Sequence, residues 1–172
     1  MGAPAGVGLS RMMGWFLQVL TIVAALGCGV VAGVFFAFSA FVMKGLDRLP
    51  AERAVGAMRG INAAAPAPAF MVVLFGTGLA CGVLVFMSFF ARGGPSDFYL
   101  LVGGTVYLIS AIGLTVFYHV PQNEALDRVE PGGAEAHWSS YVAGWTAWNH
   151  LRFAGALVAS ASLVTALVLS AP

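Results

Sequence analysis

Between Arg11 and Lys44 the chain carries no Asp, Glu, Lys or Arg, and the same holds from Arg59 to Arg92, from Asp97 to Glu124, and after Arg152. Runs like these leave few choices. About 20 apolar residues wound as helix cross the hydrocarbon of a bilayer, and a helix satisfies its own backbone groups where no water can. The four runs predict four transmembrane helices, at about 13–43, 67–91, 98–120 and 150–170. Composition excludes a soluble alternative. Of the 172 residues, 60% are hydrophobic and 9% charged, whereas about a quarter of a soluble chain is charged. Mean hydropathy is +0.91. The first run is far longer than the roughly 7–15 apolar residues of a cleaved signal segment, so it reads as a permanent span. The expected fold is all-α: an integral membrane four-helix bundle with amphipathic loop helices, forming a single transmembrane domain over residues 1–172.

Basic residues orient such a chain, because Lys and Arg concentrate in cytoplasmic loops. Lys44, Arg48, Arg53, Arg59, Arg128 and Arg152 fall on one side, Arg11 and Arg92 on the other. This predicts loops 44–66 and 121–149 in the cytoplasm and both termini outside. A net charge of +1 without a basic cluster argues against nucleic-acid binding. Lipid is the expected surrounding partner, and homo-oligomers stay open. Cys28 and Cys81 lie inside spans beside glycines without metal-ligand spacing, so they read as small packing residues. Gly29 with Gly33, and Gly78 with Gly82, make small-xxx-small pairs that predict close helix approach.

The loops are patterned too. "PAERAVGAMRGIN" at 50–62 reads as a short helix opened by Pro50, and "APAPAF" at 65–70 ends it. "RGGPSD" at 92–97 predicts a turn. "EPGGAEA" at 130–136 is a second breaker, followed by one unbroken helix from about 137 to 170 whose first half precedes the fourth span. "GLDRLP" at 45–50 resembles "ALDRVE" at 125–130, and extending that alignment matches Asn62 with Asn149. Halves so related share an axis along the membrane normal, which would bring the two polar loops over one cavity.

"YVAGWTAWNHLRFAG" at 141–155 holds the densest chemistry. At 100° per residue, Trp138, Tyr141, Trp145, Trp148 and Arg152 share a sector of about 80°. Asn149 borders it and His150 projects from the opposite side. An aromatic belt at the membrane surface, with Arg152 reaching the headgroups, is one reading. It explains Trp138 poorly, since that residue lies roughly 15 Å beyond the mouth of the span at 1.5 Å per residue. The other reading is a flat aromatic wall for a planar ligand, with Arg152 and Asn149 facing negative charge. His119 and Asn123 are four apart, but Pro121 between them predicts a disrupted helix. His119, His137 and His150 come from separate segments without metal-site spacing, so they read as hydrogen-bonding residues rather than ligands. Glu124 reads as a solvated carboxylate. Asn62 either caps its helix or points its amide into the cavity.

"GVVAGVFFAFSAFVMKGLDRLP", "AMRGINAAAPAPAFMVVLFGTG", "VPQNEAL" and "WTAWNHLR", in that order, resemble the small four-span membrane proteins named for anthrone oxygenases, over about residues 25–160. The motif positions are Asn62, Asn123, Trp148, Asn149, His150 and Arg152. His119 falls where the pattern has no histidine. The resemblance implies an enzyme of a bacterial inner membrane that oxidises an anthrone- or quinone-like aromatic with O2 and no cofactor. His150 would then be the base, with Arg152, Asn149, Asn123 and Asn62 holding the developing anion. Trp145, Trp148, Tyr141 and Met58 would hold the ring. The competing expectation is a non-catalytic accessory or ligand-binding protein whose Asn, Arg and Trp residues form a structural network.

Overall fold

The structure, a computed structural model, describes residues 5–91, 93–130 and 132–170, with side chains from residue 12 onward. Arg92 and Pro131, which the sequence places in the two breaker turns, lie outside the described residues, as does the side chain of Arg11. Among the described residues every regular element is helical. The elements are α1 (Ala5–Ala37), α2 (Met43–Leu46), α3 (Ala51–Ala64), α4 (Pro68–Ser88), α5 (Pro95–Tyr107), α6 (Val120–Asp127) and α7 (Ala134–Ser170). Wide π-helical turns at Phe38–Val42, Leu108–Gly113 and Thr115–His119 join α1 to α2 and α5 to α6.

Four continuous helices are long and apolar enough to cross a membrane: Met12–Leu46, Pro68–Ser88, Pro95–Asp127 and Ala134–Ser170. They form a ring in which α1 and α5 each pack against both α4 and α7. The outward faces carry Leu79, Val72, Ile109 and Phe117, all strongly exposed, as suits a lipid-facing surface. The protein is a multi-pass membrane protein. The long fourth helix begins at Ala134 and runs without a break. At 37 residues and 1.5 Å each it is about 55 Å long, against a hydrocarbon layer of about 30 Å. It is therefore longer than the hydrocarbon layer requires.

The turn signals act as their chemistry predicts. Pro50 sits at the N-cap of α3 with extended ψ, and Pro68 opens α4. Gly93 and Gly132 take positive φ (76° and 92°), which only glycine adopts freely. Asp97 accepts a hydrogen bond from the Gly94 N–H at 3.0 Å, which starts α5. Pro121 does not break its helix, contrary to the sequence expectation. The π turn Thr115–His119 immediately precedes it, with the Val120 N–H reaching Thr115 O. That widening accommodates the ring and the missing N–H of the proline.

Two hydrophobic cores result. One lies within the spans and includes Cys28, Val31, Phe35, Leu74, Cys81, Leu84, Tyr107, Ala156 and Leu163. Between helices in lipid, close packing and hydrogen bonds replace the hydrophobic drive, and both occur here. Tyr107 Oη donates to Leu74 O at 3.0 Å and Ser160 Oγ to Ala25 O at 2.9 Å. The tightest helix contacts differ from the pairs the spacing suggested. One member of each pair meets a neighbouring helix, a Cβ at Gly78 standing 3.1 Å from Ile112 Cγ1 and one at Gly29 3.6 Å from Ser160 Oγ, while Gly33 and Gly82 meet nothing within 4 Å; one at Gly104 would stand 2.8 Å from Cys81 O. The two cysteines pack as expected, with Sγ atoms 4.0 Å apart. The second core lies at one end of the bundle, where α2, α3 and α6 pack against the first half of α7. It comprises Met43, Val55, Met58, Leu126, Trp138, Tyr141 and Trp145, with Ala54 and Ala134. Where water is the alternative, each large apolar side chain buried contributes about 1.5–3 kcal/mol.

Candidate functional site

Helix α7 buries one continuous stripe: Trp138, Tyr141, Trp145, Asn149, Arg152, Ala156, Ala159, Leu163 and Ala166. Its spacing of three and four gives one helix face. Trp138, Tyr141 and Trp145 belong to the outer core, and Ala156, Ala159 and Leu163 to the core within the spans. Asn149 and Arg152 fall between the two. They form a polar layer with apolar packing on either side.

The stripe is centred differently from the sequence-drawn wheel. Asn149 is fully buried, while Trp148 is 40% exposed and lies against Tyr118 with ring centroids 5.1 Å apart. Trp148 stood at one edge of the 80° sector, and burial is centred nearer Trp145. Trp148 therefore lies at the margin of the buried face and not within it. The other three aromatics are buried, so they are not a belt facing lipid. Trp138 Nε1 donates to Asp47 Oδ1 at 3.0 Å, which ties α7 to the end of α2.

Arg152 is 6% exposed. One terminal nitrogen donates to Asn149 Oδ1 at 2.7 Å, the other to Thr115 Oγ1 at 3.3 Å. Its Nε is buried with no hydrogen-bond partner. The guanidinium carbon lies 4.3 Å from the centre of the Phe35 ring and 5.1 Å from that of Trp145. Aromatic faces stabilise a cation through their quadrupoles, by about 2 kcal/mol or more when desolvated. Among the described residues no carboxylate pairs with Arg152. Asn149 holds its neighbour in place: its amide nitrogen donates to Phe35 O and Ser39 Oγ, both at 2.8 Å. The adjoining π turn, where the Met43 N–H reaches Phe38 O, widens the first span at this level.

Asn123, on α6, accepts from Tyr141 Oη at 2.8 Å and Trp145 Nε1 at 3.0 Å through one side-chain oxygen. Asn62, on α3, has a buried Nδ2 with no partner and lies beside the Tyr141 hydroxyl. Met58 is fully buried in the same cluster. Arg152 Nε in the layer is thus a buried donor without an acceptor, and Asn62 Nδ2 is buried against the Tyr141 hydroxyl in the outer core.

His150 is elsewhere. It is exposed and lines a hollow with Met43, Lys44, Asp47 and Thr146 on the other side of α7. His119, set aside in the sequence reading, is 1% exposed. Its Nδ1 is 3.1 Å from Leu114 O and its Nε2 3.3 Å from Trp145 O, and its ring meets the Trp145 indole edge-on at 4.9 Å. A neutral imidazole has one N–H, so one nitrogen presents a lone pair to an oxygen that cannot donate. His119 and Arg152 contact the same indole. The weak clue in sequence was the His119–Asn123 spacing of four. Both residues do face Trp145, because the π turn keeps the helix continuous through Pro121. Thr115, Phe35 and Ser39 carried no sequence signal beyond their depth in a span. The three histidines remain apart, and among the described residues no three His, Cys, Asp or Glu side chains converge as a metal site would require.

A family model described as anthrone oxygenase matches residues 68–162, more than half of the chain. That stretch holds His119, Asn123, Tyr141, Trp145, Asn149 and Arg152, but not Met58 or Asn62. No curated protein matches the chain, and no solved structure does.

Proposed function

The chain belongs to the anthrone oxygenase family, and on that premise we propose that it is a membrane oxygenase acting on a lipophilic anthrone- or quinone-like aromatic. The observation that carries this reading is Arg152: a buried cation, without a carboxylate partner among the described residues, with one N–H uncommitted beside aromatic faces. Preorganised donors aimed at developing negative charge are commonly the largest catalytic contribution.

An anthrone carries a CH2 between two aromatic rings, opposite a carbonyl. Removal of one proton gives a delocalised anion with its charge largely on that carbonyl oxygen. Arg152, positioned by Asn149, stabilises this oxygen, with the Asn62 amide as a second donor. Trp145 and Tyr141, held by Asn123, and Met58 supply apolar surface for the rings. His119 replaces His150 as the proton acceptor, because it shares the Trp145 indole with Arg152. The anion passes one electron to O2. The resulting radical and superoxide combine at carbon, and protonation gives a hydroperoxide. Loss of water, taking the second C–H proton and breaking the O–O bond, leaves a carbonyl. The sum is CH2 + O2 → C=O + H2O, and no step calls for a cofactor. The bias of basic residues would set the outer core, and access to the layer, on the cytoplasmic side.

The complete use of the Asn149 amide favours a second reading, in which the layer is a structural network joining α1, α7 and the π turn Thr115–His119. The two part in one assay. Purified protein in lipid nanodiscs is mixed with an anthrone in air, and quinone absorbance is followed. The oxygenase reading expects saturable acceleration over protein-free nanodiscs. Equal rates would leave the structural network standing.

A further inference from the structure

At the end of the bundle remote from the outer core, a cleft of about 240 Å³ opens between α1, α5 and α7, lined in part by Gln18, Thr21, Ser96, Asp97 and Ser170. At 1.5 Å per residue, Gln18 and Met43 stand about 37 Å apart along the continuous helix Met12–Leu46. That exceeds the roughly 30 Å of hydrocarbon, so the two ends of this helix reach opposite surfaces of the bilayer. Trp15, which is 70% exposed, and Tyr99 stand close in sequence to the lining, and both residue types settle at the headgroup level. Gln18 is the sole side-chain amide in the charge-free run between Arg11 and Lys44. A polar group in such a segment calls for a partner. Thr21 forms the floor and is already satisfied: it is 3% exposed, and its hydroxyl donates to Leu17 O at 2.7 Å. Gln18, Ser96, Asp97 and Ser170 keep accessible surface. One carboxylate oxygen of Asp97 accepts from the Gly94 N–H at 3.0 Å, and no cation among the described residues pairs with it. The Ser170 hydroxyl donates to Leu167 O at 3.0 Å and keeps its lone pairs. The accessible groups are thus mainly acceptors around one negative charge.

We propose that this cleft binds the primary ammonium of a phosphatidylethanolamine headgroup. Such a group carries one positive charge and three N–H donors, as a lysine side chain does. Asp97 supplies the opposite charge, and the Gln18 amide oxygen and the Ser96 or Ser170 hydroxyl oxygen take the remaining donors. A choline headgroup has the same charge without an N–H, so it forfeits every one of these hydrogen bonds. A phosphatidylglycerol headgroup brings no cation, and its phosphate would face Asp97. The cleft is smaller than the roughly 300–1,000 Å³ of sites for drug-sized molecules, so it suits a two-carbon head and not a polycyclic ring. Depth selects the lipid over a soluble amine. The bilayer delivers the headgroup at this level, and its acyl chains can lie along the exposed Phe16 and Phe98. The bound head would fasten α1, α5 and α7 to one another at the end far from Arg152. This site stands on its own lining and does not rest on the oxygenase reading.

The test uses the full-length protein in detergent. Phosphatidylethanolamine, phosphatidylcholine and phosphatidylglycerol of matched acyl chains are added, with binding read by native mass spectrometry and thermal midpoint followed in parallel. Wild-type protein is expected to hold phosphatidylethanolamine about tenfold or more tighter than phosphatidylcholine, the worth of a hydrogen bond to a charged group, with the mono- and dimethylated headgroups falling between in order. Asp97→Asn keeps an acceptor for the Gly94 N–H and removes the charge. Its lipid-free midpoint is expected to hold while the preference over phosphatidylcholine disappears. Gln18→Leu, which removes an acceptor without touching a helix start, is expected to reduce the preference severalfold and serves if Asp97→Asn does not fold. Lys44→Ala, at the other end of the helix, is expected to leave the preference intact. Equal retention of phosphatidylethanolamine and phosphatidylcholine by the wild type overturns the site. So does a full preference in both Asp97→Asn and Gln18→Leu, a preference lost with Lys44→Ala, or tighter retention of phosphatidylglycerol than of phosphatidylethanolamine. Free ethanolamine at the lipid's own concentration is expected neither to displace the lipid nor to raise the midpoint; if it does both, the cleft takes a soluble amine and the lipid assignment falls.

Discussion

A guanidinium held at 6% exposure with no carboxylate beside it among the described residues is costly, since the effective penalty for burying an ion is several kcal/mol. Phe35, Trp145, Asn149 and Thr115 offset part of that cost. They also fix the group, as a charge reserved for another purpose requires. Arg152→Met separates cost from use. A methionine keeps much of the stem's volume and removes the buried ion, so the thermal midpoint is expected to stay or rise. Quinone formation is expected to fall about 10²–10³-fold, the usual loss of an oxyanion donor. A fall in midpoint with no activity to lose would identify the layer as purely structural. The histidines give a second prediction at this scale. His119→Gln is expected to lower kcat about 10²-fold or more, the usual contribution of a positioned base, whereas His150→Gln leaves kcat unchanged. The reverse pattern would return the base to His150. Sequence spacing was enough to place Tyr141, Trp145 and Arg152 on one face, because helical periodicity survives folding. It misplaced Trp148 because a wheel does not say where its neighbours sit. It undervalued His119 because that ring's partners are main-chain carbonyls, which leave no mark in a sequence.

The four long helices were legible from charge alone, since a charge-free run in lipid has one backbone solution. Their contacts were not. Gly33 and Gly82 satisfied the small-xxx-small spacing, yet Gly104 is where two backbones meet most closely. Spacing identifies small residues on one face and does not tell whether a helix or lipid covers that face. Gly104→Ala would set a Cβ 2.8 Å from Cys81 O and 2.6 Å from Val85 Cγ2. The backbone oxygen cannot step aside as a side chain can, so a loss of about 1–3 kcal/mol is expected. Gly33→Ala meets nothing within 4 Å and is expected to be neutral or to stabilise by up to about 1 kcal/mol through helix propensity. Equal thermal midpoints for the two variants would mean that α4 and α5 are packed differently. The π turns were equally hidden. No residue type announces them, and Pro121, taken as a breaker, is tolerated because one precedes it.

Taken whole, the molecule is two cores held by different forces with a polar layer between them, and these should separate under perturbation. The core within the spans depends on packing in lipid. The outer core depends on keeping water from Met58, Trp138 and Trp145, and therefore on the closure of α3 and α6 over α7. Arg59 fastens that closure: its guanidinium donates to Leu126 O at 2.8 and 3.2 Å and to Val129 O at 2.7 Å. A hydrogen bond from a charged group contributes about 1.5–3 kcal/mol when buried, and less for this partly exposed side chain. Arg59→Met is expected to loosen the cap without dissolving the bundle. Trp138 and Trp145 would gain water contact, so tryptophan emission should shift to the red and a protease should cut near Gly132 sooner. Helix content by circular dichroism should hardly change, because the spans do not rely on Arg59. If access to the Arg152 layer is limited by the cap, the same variant should also bind a planar probe faster. A variant that loses helix content together with the tryptophan shift would show a single cooperative unit, and the independence of the two cores would have to be given up.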